Sequence, residues 1–211
     1  MNKKYLLLGV VSGIIFLMVN QPMLLLFSLF LLTLSFQNGL QKLNSKIKIP
    51  LILKLIIFMI FVGFLTEFFA IWNNVNLTPE EIMETNQLYS ASPLTDIILG
   101  WGYYIPLAIA WFYLLRKYDY KIKDVFITMG IFGIFFEGKG AVLLSLNPVM
   151  WLYAFLVHGS YLTIAYIITK QEFPTNKKQF GKIKKYSYGF LYSLLTFIPF
   201  VIWENIIKAL I

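Results

Sequence analysis

The 211-residue chain contains no cysteine. This excludes disulfides, thiolate nucleophiles and cysteine-ligated zinc, haem or iron–sulfur centres. It contains one histidine, too few for the multi-histidine boxes of membrane di-iron enzymes. Charge is scarce as well: 13% of residues are Asp, Glu, Lys or Arg, against about 25% in a soluble domain. With 59% hydrophobic residues, the solvent for most of the surface is expected to be a bilayer. The length suits one helical membrane domain over residues 1–211. The residues require no cofactor and offer no metal-ligand set.

The net charge of +8 is not a nucleic-acid signature, because the basic residues fall between apolar runs. They read as topology signals facing anionic lipid. A membrane-crossing helix needs about 20 apolar residues, range about 17–25. The apolar runs are approximately 5–20, 22–37, 49–72, 93–115, 124–146, 148–169 and 187–211. These predict an all-α polytopic bundle of about seven transmembrane helices.

Loop charges set the orientation. Lys3 and Lys4 precede the first run, and Lys42, Lys46 and Lys48 follow the second. Positive charge collects on the cytoplasmic side, so the first two short runs form a hairpin turning at Asn20-Gln21-Pro22. A cleavage site of small residues is missing before that turn, so the first run reads as a retained span and not as a signal peptide. The 73–92 connection carries Glu80, Glu81 and Glu84 and no Lys or Arg, placing it outside. Arg116, Lys117, Lys121 and Lys123 mark an inside loop, and Asn147-Pro148 a tight outside turn. The lysines between Lys170 and Lys185 mark a second inside loop. The expected topology has a cytoplasmic N-terminus, an outer C-terminus and a cell-membrane location. Within the outer connection, Thr78-Pro79-Glu80-Glu81 reads as the capped start of a short helix.

Ionisable groups inside a bilayer are costly and are kept for pairing or for use. This topology places Glu67, Asp96, Glu137, Lys139, Glu204 and Lys208 in one outer layer, with His158 deeper. Lys54, alone in the inner half, is expected to snorkel to the cytoplasmic surface. Gly138 and Gly140 flank Lys139 and ease a local break. Pro106 and Pro199 predict kinks. Glu204 and Lys208 share a helix face four residues apart, so Glu204 either pairs locally or joins the layer. The tryptophans Trp72, Trp101, Trp151 and Trp203 form an interfacial belt, part of which lines a pocket.

The candidate catalytic groups are Glu67, Glu137 and Lys139. The candidate pocket residues are Asp96, Trp101, Tyr104, His158 and Glu204. Two buried carboxyls suit acid and base roles, with Lys139 holding one of them ionised or stabilising developing negative charge. Three function classes stay open: a cofactor-independent enzyme or binder for a lipid, an isoprenoid or another apolar ligand; a cation- or proton-coupled transporter or channel; and a non-catalytic subunit of a membrane complex. A retinal-binding role for Lys208 does not fit, because that lysine lies far from the bilayer centre.

Three stretches carry a resemblance: Thr66-Glu67-Phe68-Phe69-Ala70-Ile71-Trp72, Ser92-Pro93-Leu94, and Gly102-Tyr103-Tyr104-Ile105-Pro106-Leu107-Ala108. Together they resemble membrane proteins of carotenoid biosynthesis, the carotenoid hydratases and archaeal-type lycopene cyclases. Asn147-Pro148-Val149-Met150-Trp151 is similar to a second hydratase patch, with Asn147 where that family has an acidic residue. The resemblance covers about a fifth of the chain. It implies a multi-span helical fold, intramembrane carboxylates and an isoprenoid substrate.

Overall fold

A computed structural model describes residues 1–74 and 93–210; the expected capped helix at Thr78 lies outside them. All regular secondary structure among the described residues is helical, apart from one isolated bridge between Tyr118 and Lys178. The chain opens with α1 (Lys3–Met18), capped by the Asn2 side chain, which accepts from Lys4 N at 3.2 Å. Asn20 turns the chain at φ 51, a left-handed conformation that asparagine tolerates better than most residues. Pro22 then starts a single 3-10 turn leading into α2 (Leu25–Ser35).

These two helices form the expected hairpin. A Cβ on Gly9 would lie 3.0 Å from the Leu32 side chain, and Ser12 meets Ser28 at 2.9 Å. The hairpin ends are tied together by Asn2 N donating to Ser35 O and Ser35 Oγ donating to Asn2 O, both at 3.0 Å. At Phe36, where the 22–37 run ends, the chain bends by 77° into α3 (Gln37–Ser45).

Helix α4 (Leu51–Asn74) runs beside α5 (Pro93–Lys117). They pack antiparallel: Gly63 faces Tyr104 and Gly100 faces Glu67. Helix α6 (Ile122–Phe136) starts with Asp124 Oδ2 accepting Lys121 N at 2.9 Å. The expected 124–146 span is interrupted. α6 stops at Phe136, a 3-10 turn occupies Glu137–Gly140, and α7 (Ala141–Leu144) adds one helical turn. Gly138 at φ 57 and Gly140 at φ 92 make this possible, because a side chain there would be strained. Helix α8 (Pro148–Thr169) is capped by Asn147 Oδ1, which accepts from Val149 N at 3.0 Å, with Pro148 where its missing N–H costs nothing.

The final run is also divided, into α9 (Lys182–Leu195) and α10 (Phe197–Leu210) around Thr196. Pro199 explains the division: it cannot donate to the carbonyl of Leu195, four residues back. At Pro106, by contrast, α5 continues as one helix.

Among the described residues, four segments are long and apolar enough to cross a membrane: α4, α5, α8 and the 182–210 pair α9–α10. The bent α2–α3 pair makes a fifth candidate. Helices α1, with 16 residues, and α6, with 15, fall short of a straight 30 Å crossing at about 1.5 Å per residue. Helix α8 is the hub: 67% of its most apolar 18-residue stretch is buried, against 11% of the corresponding stretch in the α9–α10 arm, which lies at the edge. The outward surface is itself apolar. Leu53, Ile57, Phe61, Phe64, Phe68 and Trp72 form an exposed stripe down one face of α4. Such a stripe is foreign to a water-soluble monomer.

The basic segments meet at one end of the bundle. Lys54 binds Glu172 at 2.6 and 2.8 Å. Asp119 N donates to Lys178 O and Lys178 N to Lys117 O. Lys185 pairs with Asp124 at 3.0 Å. Tyr120, in the loop between α5 and α6, donates its hydroxyl to Lys185 O at 2.7 Å; burial pushes that hydroxyl up from its ordinary value, so it remains a donor. The expectation that Lys54 snorkels is overturned. Its side chain is 3% exposed, and Nζ also donates to Asn44 O at 3.0 Å.

Candidate functional site

At the other end of the bundle, α4, α5, the 137–140 turn and α8 bring their polar side chains together. Each is placed by a local feature. Glu137 falls where α6 ends, with extended backbone (φ −60, ψ 132), so it leaves the helix cylinder. His158 and Tyr161 lie three residues apart in α8, one turn of the same face. Close contact between α6 and α8 depends on Gly133, where a Cβ would lie 2.5 Å from His158 Cβ. Gly63 does the same for α4 and α5: a Cβ there would lie 2.4 Å from the Tyr104 ring.

The centre of the cluster is a chain of hydrogen bonds. Glu137 Oε2 contacts His158 Nε2 directly. His158 Nδ1 meets Tyr161 OH at 2.7 Å, and Tyr161 OH meets Tyr103 OH at 2.8 Å. Beside it, Tyr104 OH donates to Glu67 Oε1 at 3.2 Å. The two groups touch through their rings: Tyr104 lies edge-on to Tyr103 and to Tyr161, with centroids 5.4 and 5.8 Å apart. Burial is uneven along the chain. Tyr161 is 1% exposed and the His158 side chain 14%, whereas the Glu137 side chain is 41% exposed and Tyr103 is half-buried.

Several sequence candidates therefore converge. Glu67, Tyr104, Glu137 and His158 share the site. Asp96, expected near a helix end, is buried in the first turn of α5 and feels the charge of Glu67. Other candidates lie elsewhere. Trp101 is 38% exposed on the outer surface. Glu204 bonds Lys208 on its own helix at 2.5 Å. The turn that carries Lys139 is described, but its side chain lies outside the described residues. Trp203 rests on Gly102 and donates to Ile98 O at 2.8 Å, which fastens α10 to α5.

Sequence reading missed Tyr103 and Tyr161. With 13 tyrosines in the chain, neither stands out by type. The available signals were the His158-x-x-Tyr161 spacing and the adjacent Tyr103-Tyr104 pair. An open apolar groove of about 490 Å³ lies between α1, α2 and α4, lined in part by Leu65 and Phe69. Those residues point away from the face of α4 that carries Glu67.

Chemically, the arrangement holds a carboxylate against an imidazole whose second nitrogen is bound to a hydroxyl. That is the layout of an oriented general acid–base pair. Comparison with protein-family models, curated proteins and solved structures returns no match.

Proposed function

We infer that the chain is a polytopic cell-membrane protein with its N-terminus and lysine-rich loops in the cytoplasm, and that its polar cluster performs cofactor-independent proton transfer on a lipid or isoprenoid. The observation that carries this reading is the Glu137–His158 contact backed by Tyr161. Both ring nitrogens of His158 are engaged, one of them by an acid and the other by a hydroxyl. Glu67, held by Tyr104, is the second acid–base group. Lys139 is assigned to stabilising negative charge at the Glu137 turn.

Hydration, isomerisation or cyclisation of a double bond needs one proton delivered and one removed. Two carboxyl groups on separate elements meet that need without a metal. The resemblance of the 66–72 and 102–108 stretches to carotenoid hydratases and lycopene cyclases supports an isoprenoid. The apolar outer surface supports entry of such a substrate from the membrane.

Native mass spectrometry of the purified protein is expected to reveal a bound isoprenoid or other apolar lipid. Glu137→Gln and Glu67→Gln should each abolish its retention or conversion while the protein still folds. Unchanged behaviour in both variants sinks the reading.

One observation favours transport as a second reading. At the basic end, buried Gln41 and Asn44 join Lys54, the one charge expected in the inner half, and supply polar groups beyond the site. Ion-dependent flux in proteoliposomes, lost in Glu137→Gln, would establish transport; no flux under any gradient removes it.

A further inference from the structure

The hydrogen-bond chain has a property that a plain ion pair lacks: it runs from a partly exposed carboxyl, past a buried hydroxyl, to a partly exposed tyrosine on another helix. Glu137, His158 and Tyr103 are partly exposed, whereas Tyr161, which joins His158 to Tyr103, is buried. Each of the three bonds can also run in either direction. An imidazole can carry its proton on either nitrogen, and a phenol both donates and accepts.

We propose that Tyr161 and Tyr103 form a proton relay, passing protons between Glu137 and a substrate held at the Tyr103 end through a tautomer change of His158. The relay rests on the acid–base reading of Glu137. In the loaded state the Glu137 carboxyl donates to Nε2, the Nδ1–H donates to Tyr161, and Tyr161 donates to Tyr103. On transfer, the Glu137 O–H bond breaks as the Nε2–H bond forms. The Nδ1–H bond breaks as a new O–H bond forms on Tyr161. Tyr161 gives its own proton to Tyr103, and Tyr103 gives its own to the substrate π-bond. Glu137 ends as a carboxylate, and the substrate gains one proton and one positive charge. His158 has moved from the Nδ1–H to the Nε2–H form. Both tyrosines keep one proton each, and no redox partner is needed.

The reversed chain, Tyr103 donating to Tyr161 and Tyr161 to Nδ1, is the discharged state, with the carboxylate accepting from Nε2–H. Both states fit the observed positions of the heavy atoms. His158 is bonded to Glu137 from the turn and to Tyr161 on α8; Tyr103 and Tyr104 of α5 touch Tyr161, Glu67 of α4 accepts from Tyr104, and Tyr153 of α8 lies within reach of the Glu137 charge. In this assignment Tyr161 is a positioning residue, and Tyr103 is the group that meets substrate.

Because the chain holds one histidine, ¹⁵N-histidine labelling of the full-length protein in lipid nanodiscs gives a single imidazole to observe. As the pH is raised and Glu137 gives up its proton, the ring should change from the Nδ1–H to the Nε2–H tautomer. Tyr161→Phe removes the acceptor of Nδ1–H and should lower that tautomer's population about fivefold, the ratio carried by one net hydrogen bond. Tyr103→Phe, on a different helix, should move the ratio in the same direction by less, and it keeps the question open if Tyr161→Phe does not fold. An imidazolium throughout the titration, or a tautomer ratio unmoved by the tyrosine variant that folds, overturns the relay. A tautomer change together with unaltered ligand handling in Glu137→Gln and Glu67→Gln would leave the relay standing and remove the enzyme reading.

Discussion

The two ends of this bundle solve the problem of buried polarity in opposite ways. At the basic end, Lys54 meets Glu172 twice and Asn44 O once. Asn44 donates to the same carboxylate at 2.5 Å, and Gln41 donates to Ile167 O at 2.7 Å. Positive and negative charge cancel, and the ammonium has three acceptors for its three protons. Asn44 Oδ1 is buried there without a hydrogen-bond partner among the described residues, but the charges themselves are closed, and the cluster pins α3 and α4 to the end of α8. At the other end, about 20 Å away by the 13-residue spacing of Lys54 and Glu67 along α4, the carboxyl groups meet imidazole and phenols. Those partners donate and accept equally well, and one carboxyl stays partly exposed. A closed set of charges fixes helices, whereas a string of reversible donors leaves chemistry available.

That contrast can be broken from either side, and the largest effect is expected at the closed end. Glu172→Ala leaves the Lys54 ammonium buried without its counter-charge and should destabilise the protein by about 3–5 kcal/mol, read as a lowered unfolding midpoint in detergent. Lys54→Met with Glu172→Leu removes both charges and should recover most of that loss; failure to recover would show that the cluster does more than pin helices. Gly63→Ala comes next. Its methyl group must displace the Tyr104 ring, at an overpacking cost of about 1–3 kcal/mol, and ligand retention should weaken along with stability because Tyr104 holds Glu67. A variant less stable but unchanged in ligand handling would detach Tyr104 from the site. Ser193→Ala strands the buried Trp111 Nε1–H, which now donates to Ser193 Oγ at 2.9 Å, and should cost about 1–3 kcal/mol with no change in ligand handling. The smallest effect is expected for Glu204→Gln. It breaks a same-helix pair whose lysine is half exposed, and such pairs contribute about 0.5 kcal/mol or less.

The fold was legible where the signal was local. Lysines on both sides of residues 5–37 predicted a hairpin, and α1 and α2 form one. Two glycines beside Lys139 marked the place where α6 breaks, and Pro199 marked the division before α10. Helical continuity was harder to read, because an apolar run does not reveal how the chain goes on from it: at the end of the 22–37 run, Phe36 carries a 77° bend into α3 with neither proline nor glycine at the corner. The site was half legible. Charged groups in apolar sequence stand out, so Glu67, Glu137 and His158 were found, but tyrosine suits an interfacial belt as well as a relay. Lys54 was misread for a related reason. Its partner, Glu172, is 118 residues away in a segment that reads as a solvated loop, and only the folded bundle brings the two together.

The burial of α8 has a consequence for biogenesis. Apart from the short 170–172 turn that follows it, the elements that pack most closely on α8 — α2, α3, α4 and α6 — precede it in the chain. During synthesis, where earlier segments generally fold first, its seat is complete before α8 emerges, and its arrival closes both the Lys54–Glu172 cluster and the Glu137–His158 contact. The α9–α10 arm is made after α8 and docks on an assembly that already holds its chemistry.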